Sequence, residues 1–182
     1  VVTTGGVSVG DADHMSEQLS AAGGQLDVLR IAMKPGKPLA FGRIDDVPIF
    51  GLPGNPVSSF VSFEQFVRPS IRKMMGAIQL NHRSVQAKLT RTVHKKAGRQ
   101  HFLSAYVQWE NGECTVNPTQ EQGSGILKST VNANGLLIFP LELTKKTEGT
   151  EVTVQLLESD TNFSIYYNNM NKCRLPFIFA FV

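Results

Sequence analysis

Acidic residues are missing from the middle of this chain: none occurs between Glu64 and Glu110. Cysteine is nearly missing too, with only Cys114 and Cys173 in 182 residues, and neither has CxxC or Cys/His spacing. That excludes a disulfide framework or a cysteine-built zinc site, and makes a reduced, cytoplasmic compartment the simplest expectation. His14, His82, His94 and His101 are scattered without metal-ligand spacing and read as surface or turn residues. No apolar run reaches the roughly 18 residues needed to cross a bilayer, so no membrane role is expected. No charged segment leading into an apolar one opens the chain as a signal peptide would. GxSxG, a Cys/His pair and Ser/His/Asp spacing are all lacking, so a nucleophile with its own base is not in view.

Where the acids stop, the bases continue. Arg68, Arg72, Lys73, Arg83, Lys88, Arg91, Lys95, Lys96 and Arg99 all fall in that gap, within a formal net charge of +3. A nucleic-acid surface would interleave aromatics with such charges or carry a helix-turn-helix, zinc finger or RNP motif. None is visible, so no nucleic-acid partner is expected. Solvated strand faces account for most of the run, and a cluster attracting an anionic substrate is the next reading. Apolar residues make up 41% of the chain, ample for a core.

Residues 1–76 alternate between strand and helix character. Val1-Val2-Thr3-Thr4 reads as the end of a buried strand, followed by a helix to about Ala22. Gln25 to Met33 has β-type alternation. Pro38–Ile44 and Pro48–Leu52 form a predicted hairpin with Asp45-Asp46 at its tip. From Pro56 to Met75, apolar residues recur at three and four, the spacing of a helix lying on a sheet. Pro69 should kink or divide that helix, and Gly76 should stop it. After Gly76 the character changes to short strands with Gly-, Asn- and Thr-rich turns: Val85–Val93, Phe102–Trp109, Cys114–Val116, Gly135–Pro140 and Val152–Leu157. The expected organisation is therefore an α/β part over 1–76 and a small all-β barrel or sandwich over 77–158, with 77–83 as linker. Residues 159–182, Asn-rich and ending LPFIFAFV, fit neither part and read as extra or out-of-frame sequence; a further strand is the competing reading.

Three Pro/Gly hinges in the first part present groups suited to an anion. Gly5-Gly6 sits between strand and helix, where the lack of a Cβ lets the backbone approach a ligand. Lys34 and Lys37 flank Pro35-Gly36; two ammonium groups so close repel unless an anion lies between them. Gly54-Asn55-Pro56 opens the long helix, with Asn a good N-cap and Pro favoured at the first helical position. The N–H groups of Val57, Ser58 and Ser59 are expected to be free at that helix start and to favour phosphate or an oxyanion. For the first two hinges a plain turn is the alternative.

The runs TTGGVSVGDAD at 3–13, MKPGKPLAFG at 33–42 and GLPGNPVSSF at 51–60, in this order and spacing, resemble the molybdopterin molybdenumtransferases. These are the MoeA proteins of bacteria and relatives such as the E domain of gephyrin. AGRQHF at 97–102 and EQGSGIL at 121–127 form a weaker downstream pair, and the resemblance covers roughly residues 1–158. It implies a partial MogA-like three-layer α/β domain followed by a β-barrel-like domain.

The resemblance also implies insertion of molybdate into adenylylated molybdopterin with release of AMP, assisted by magnesium, in a protein that is a homodimer at full length. It places molybdate at Lys34, Lys37, Pro38, Ser58, Arg99 and Ser124. It gives Gly5, Gly6, Ser8, Arg30, Gly54 and Asn55 to the pterin phosphate or nucleotide. Asp13 matches an acidic position important for activity, and Asp11 and Asp13 are the implied magnesium ligands; by position alone both are ordinary helix-start acids. At Arg30 some relatives carry Lys. A gephyrin-like scaffold that clusters receptor segments, and an unrelated oxyanion- or nucleotide-binding module, are the alternatives. The chain opens without Met inside a strand-like VVTTGG, so it reads as truncated at its front and is not expected to act alone.

Overall fold

A computed structural model of the chain describes residues 1–6, 15–119 and 130–157. They form two compact units: Val1–Asn81 with Gly98–Phe102, and His82–Ala97 with the described residues from Leu103 onward. Among the described residues no helix is long and apolar enough to cross a membrane.

The first unit carries a four-stranded mixed sheet of β1 (Val2–Thr4), β2 (Gln25–Arg30), β4 (Pro38–Ile44) and β5 (Val47–Leu52), in the order β1-β5-β4-β2. β1 runs parallel to β5, with Val2 opposite Phe50 and Thr4 opposite Leu52. β4 and β5 form the predicted hairpin around Asp45-Asp46, and the Phe41 and Phe50 rings face each other across it, 5.0 Å between centroids. Leu39, Phe50 and Leu52 lie on one face of the sheet and are buried with Val67 of the long helical stretch. A short helix α1 (Met15–Ala21) precedes β2.

The alternation read from Gln25 to Met33 does not make one strand. The Ile31 N–H turns to the Lys37 carbonyl (2.8 Å), and β3 (Met33–Lys34) leaves the sheet to run parallel to Gln100–His101. The long helix is likewise divided into α2 (Pro56–Ser62), a π-helical turn (Phe63–Val67) and α3 (Arg68–Met74). Pro69, in the first turn of α3, has no N–H to give the carbonyl four residues back, and the wide turn sits just before it. In such a turn residues five apart stack, and Ser62 and Val67 are both fully buried. The wide turn also shifts the phase of α3. Ile71, Met74 and Met75, which the spacing assigns to the sheet-facing stripe, are exposed. The end is sharp: Gly76, at φ +77°, lets its own N–H reach the Lys73 carbonyl and that of Ala77 reach Arg72.

In the second unit β6 (Ser84–Leu89), β8 (Gln100–Glu110, from Leu103), β9 (Glu113–Pro118), β10 (Gly135–Phe139) and β12 (Glu151–Leu156) are ordered β10-β12-β6-β9-β8, and β8 pairs back to β10. The ring closes into a five-stranded barrel. Inward positions alternate along each strand, as with Val85, Ala87 and Leu89 or Val152, Val154 and Leu156, and they make one core. Asn111-Gly112, both at positive φ, joins β8 to β9 by the two-residue turn whose twist suits a hairpin. The strand predicted over 85–93 stops at Leu89, and the last bond of its ladder runs from the Thr90 N–H to the Val116 carbonyl. Val93–His94 (β7) pairs instead with Lys145–Lys146 (β11), an element the sequence did not announce.

Candidate functional site

The first unit holds a cleft of about 580 Å³, lined by Gly5, Gly6, Met33, Lys34, Pro35, Gly36, Lys37, Pro38, Pro53, Gly54, Asn55, Ser58 and Arg99. All three early hinges therefore reach one place. Local pairing explains why. The Gly5 N–H donates to the Leu52 carbonyl (2.9 Å), which fixes the glycine pair beside the chain entering Gly54-Asn55. β4 and the start of α2 come directly after the two other hinges. Arg99 arrives from far along the sequence. The Gln100 N–H binds the Ala32 carbonyl (2.8 Å), and Lys34 pairs with His101, so the basic side chain enters next to the lysine loop. It stands just before β8.

The helix start differs from expectation. The Asn55 side-chain oxygen accepts from the N–H groups of Val57 and Ser58 (3.1 Å each), and the Ser59 N–H bonds the Asn55 carbonyl (2.9 Å). The donors expected to be free are engaged, because asparagine caps its own helix. What the cleft offers an anion is therefore side-chain charge. Lys34, Lys37 and Arg99 line it with the Ser58 residue, and no acidic residue is among its described lining. Replacing Asn55 by alanine strands both N–H groups and is expected to cost about 1 kcal/mol, read as a lower melting temperature. An unchanged melting temperature would show that water replaces the cap at no cost.

Of the residues proposed from sequence, Gly5, Gly6, Lys34, Lys37, Pro38, Gly54, Asn55, Ser58 and Arg99 line the cleft. Arg30 does not. It closes β2 opposite Pro38, at the edge of the lysine loop but outside the lining. Ser8, Asp11, Asp13 and Ser124 lie outside the described residues. Met33, Pro35, Gly36 and Pro53 line the cleft without having been singled out; all belong to the Pro/Gly runs already noted. Among the described residues no group of three or more His, Cys, Asp or Glu is placed to hold a metal.

Residues 1–73 match the family described as "Probable molybdopterin binding domain", and residues 86–157 match "MoeA C-terminal region (domain IV)". The molybdopterin molybdenumtransferase of Haemophilus influenzae is 38% identical over 159 residues, covering 85% of this chain and 39% of that protein. That of Staphylococcus aureus is 32% identical over 160 residues, covering 88% and 38%. The crystal structure of a molybdopterin biosynthesis MoeA protein from Pyrococcus horikoshii superposes with a TM-score of 0.70 at 31% identity, over 87% of this chain and 37% of that one. The chain thus spans about two fifths of the length of these relatives.

Proposed function

Because the chain belongs to the molybdopterin molybdenumtransferase family, we propose that its cleft holds molybdate for insertion into the dithiolene of adenylylated molybdopterin, with release of AMP. The observation that carries this reading is the gathering of Lys34, Lys37 and Arg99 in one cleft whose described lining contains no acid. A tetrahedral dianion needs that balance of charge. The planar guanidinium of Arg99 gives two hydrogen bonds in fixed geometry, while the lysines act as point charges from a constrained loop. Ser58 adds a neutral donor, and Pro38 fixes the exit of the loop. Gly6, Gly54 and Asn55 present backbone and amide groups to the phosphate or nucleotide of the pterin, and Gly5, its N–H held by the Leu52 carbonyl, leaves room for close approach. Ser8 and Ser124 complete the two sets on the sequence resemblance alone.

Asp11 and Asp13 are the proposed magnesium ligands, since carboxylate oxygens are the donors a hard cation takes. Bound there, magnesium would neutralise charge on the phosphoanhydride being cleaved. Asp13→Asn is near-isosteric and keeps an N-cap acceptor, so turnover in the full-length protein should fall while stability stays unchanged. Full magnesium-dependent turnover would return Asp13 to a helix-capping role. The partial MogA-like three-layer α/β architecture, the homodimer and the cytoplasmic location belong to the same proposal.

Calorimetric titration of the chain with molybdate, sulfate and AMP tests the anion site. A preference for molybdate over sulfate is expected. Equal binding of both, or of neither, would leave a generic anion cleft or none.

A further inference from the structure

Ser62 is the last residue of α2 and is fully buried, and among the described residues its hydroxyl has no hydrogen-bond partner. A helical serine commonly returns its hydroxyl to the carbonyl four residues back, here that of Ser58. This one does not. It lies 2.6 Å from the point where a Cβ on Gly36 would stand, with Met33 Cε at 3.1 Å and the Ser58 carbonyl at 3.5 Å from the same point. These three atoms wall the underside of the Lys34–Lys37 loop, and two of them come from α2. Gly36 sits there at φ +98°, a backbone conformation open to glycine. Gly36 lines the cleft and Ser62 does not, so anything Ser62 does at the site passes through the loop.

We propose that Ser62 is a positioning residue for this cleft: its hydroxyl is the stop on which Gly36 rests, and it sets how far Lys34 and Lys37 stand from the start of the helix at Ser58. The inference rests on reading the cleft as an oxyanion site. A buried hydroxyl without a partner is unfavourable for folding, and such groups call for a local reason. Here the reason is spacing. An alanine at 62 removes the desolvation penalty and also one atom of support beneath Gly36, which has no Cβ of its own. The lysines then lose a fixed distance to the third charge and to Ser58, and preorganisation is what such a cradle contributes. A residue that merely fills space makes the opposite prediction, since its truncation leaves a cavity and lowers stability.

The test compares the chain with its Ser62→Ala, Gly36→Ala and doubly substituted forms, by molybdate titration and by thermal unfolding. Ser62→Ala is expected to melt at the same or a higher temperature while binding molybdate on the order of fivefold more weakly. Gly36→Ala is expected to lose more in both measurements. Adding Ser62→Ala should recover part of that loss, because the atom the new methyl group meets is gone. Unchanged binding in Ser62→Ala, or a fall in melting temperature that accounts for its weaker binding, overturns the proposal. Failure of the unsubstituted chain to bind molybdate overturns the oxyanion reading instead. Strictly additive melting temperatures across the four forms would show that Gly36 and Ser62 are not in contact, which also overturns it.

Discussion

Replacing Lys34 and Lys37 together by alanine is expected to lower molybdate affinity by about a hundredfold. In the proposed site each lysine supplies a charge-assisted contact of roughly 1.5–3 kcal/mol, or about tenfold to hundredfold in affinity. The two stand on either side of Pro35-Gly36 and share one ligand, so their losses need not add. Without the anion, two ammonium groups on one short loop repel each other. The double variant should therefore unfold no earlier than the parent chain, which separates a binding defect from a folding defect. Arg99→Ala should match either single lysine variant, and Arg99→Lys should restore only part of its loss, because the planar fork is not replaced. Ser58→Ala should cost less, about 1 kcal/mol, as a neutral donor. Titration at fixed ionic strength is the measurement, since salt screens such contacts. Lysine variants that bind like the parent chain would put the anion elsewhere.

Much of the site was legible because its parts are local. Pro, Gly and Asn act on their own dihedrals and their immediate neighbours, so the hinges at 5–6, 34–38 and 53–56 could be read without knowing what lay opposite them. The Asp45-Asp46 hairpin and the Gly76 stop were legible for the same reason. What the pattern hid depends on partners distant in sequence. Nothing near Met33 signals that the chain quits β2 to pair with Gln100–His101, yet that pairing delivers Arg99 to the lysine loop. Val93–His94 and Lys145–Lys146 are too short to show a period, and they exist as a ribbon because each has the other. The helix start went wrong for a different reason. Asn55 was recognised as a cap, but a cap satisfies the same N–H groups that an anion would use. Two local rules competed for one set of donors, and the side chain already in place took them.

The barrel should be the part most sensitive to a single substitution. Leu137 lies in the middle of β10, opposite Val154 of β12, and both are fully buried in the core cluster. β10 is bonded on both sides, to β12 and to β8, so it has no free edge along which to shift. A cavity opened at Leu137 cannot be closed by moving one strand without breaking a ladder. Leu137→Ala is therefore expected to cost about 2–5 kcal/mol, toward the upper part of that range. Tyr106 offers the control. It stands on β8 between the buried Ala105 and Val107, is 49% exposed, and on truncation should lose far less. Because the chain contains two compact units, a whole-molecule melting curve mixes their transitions. Trp109, the single tryptophan, packs against the barrel core, so its fluorescence reports the barrel's own unfolding in urea. A midpoint for Leu137→Ala no lower than that for Tyr106→Ala would mean that the barrel relaxes around position 137, and that its closure does not hold β10 in place.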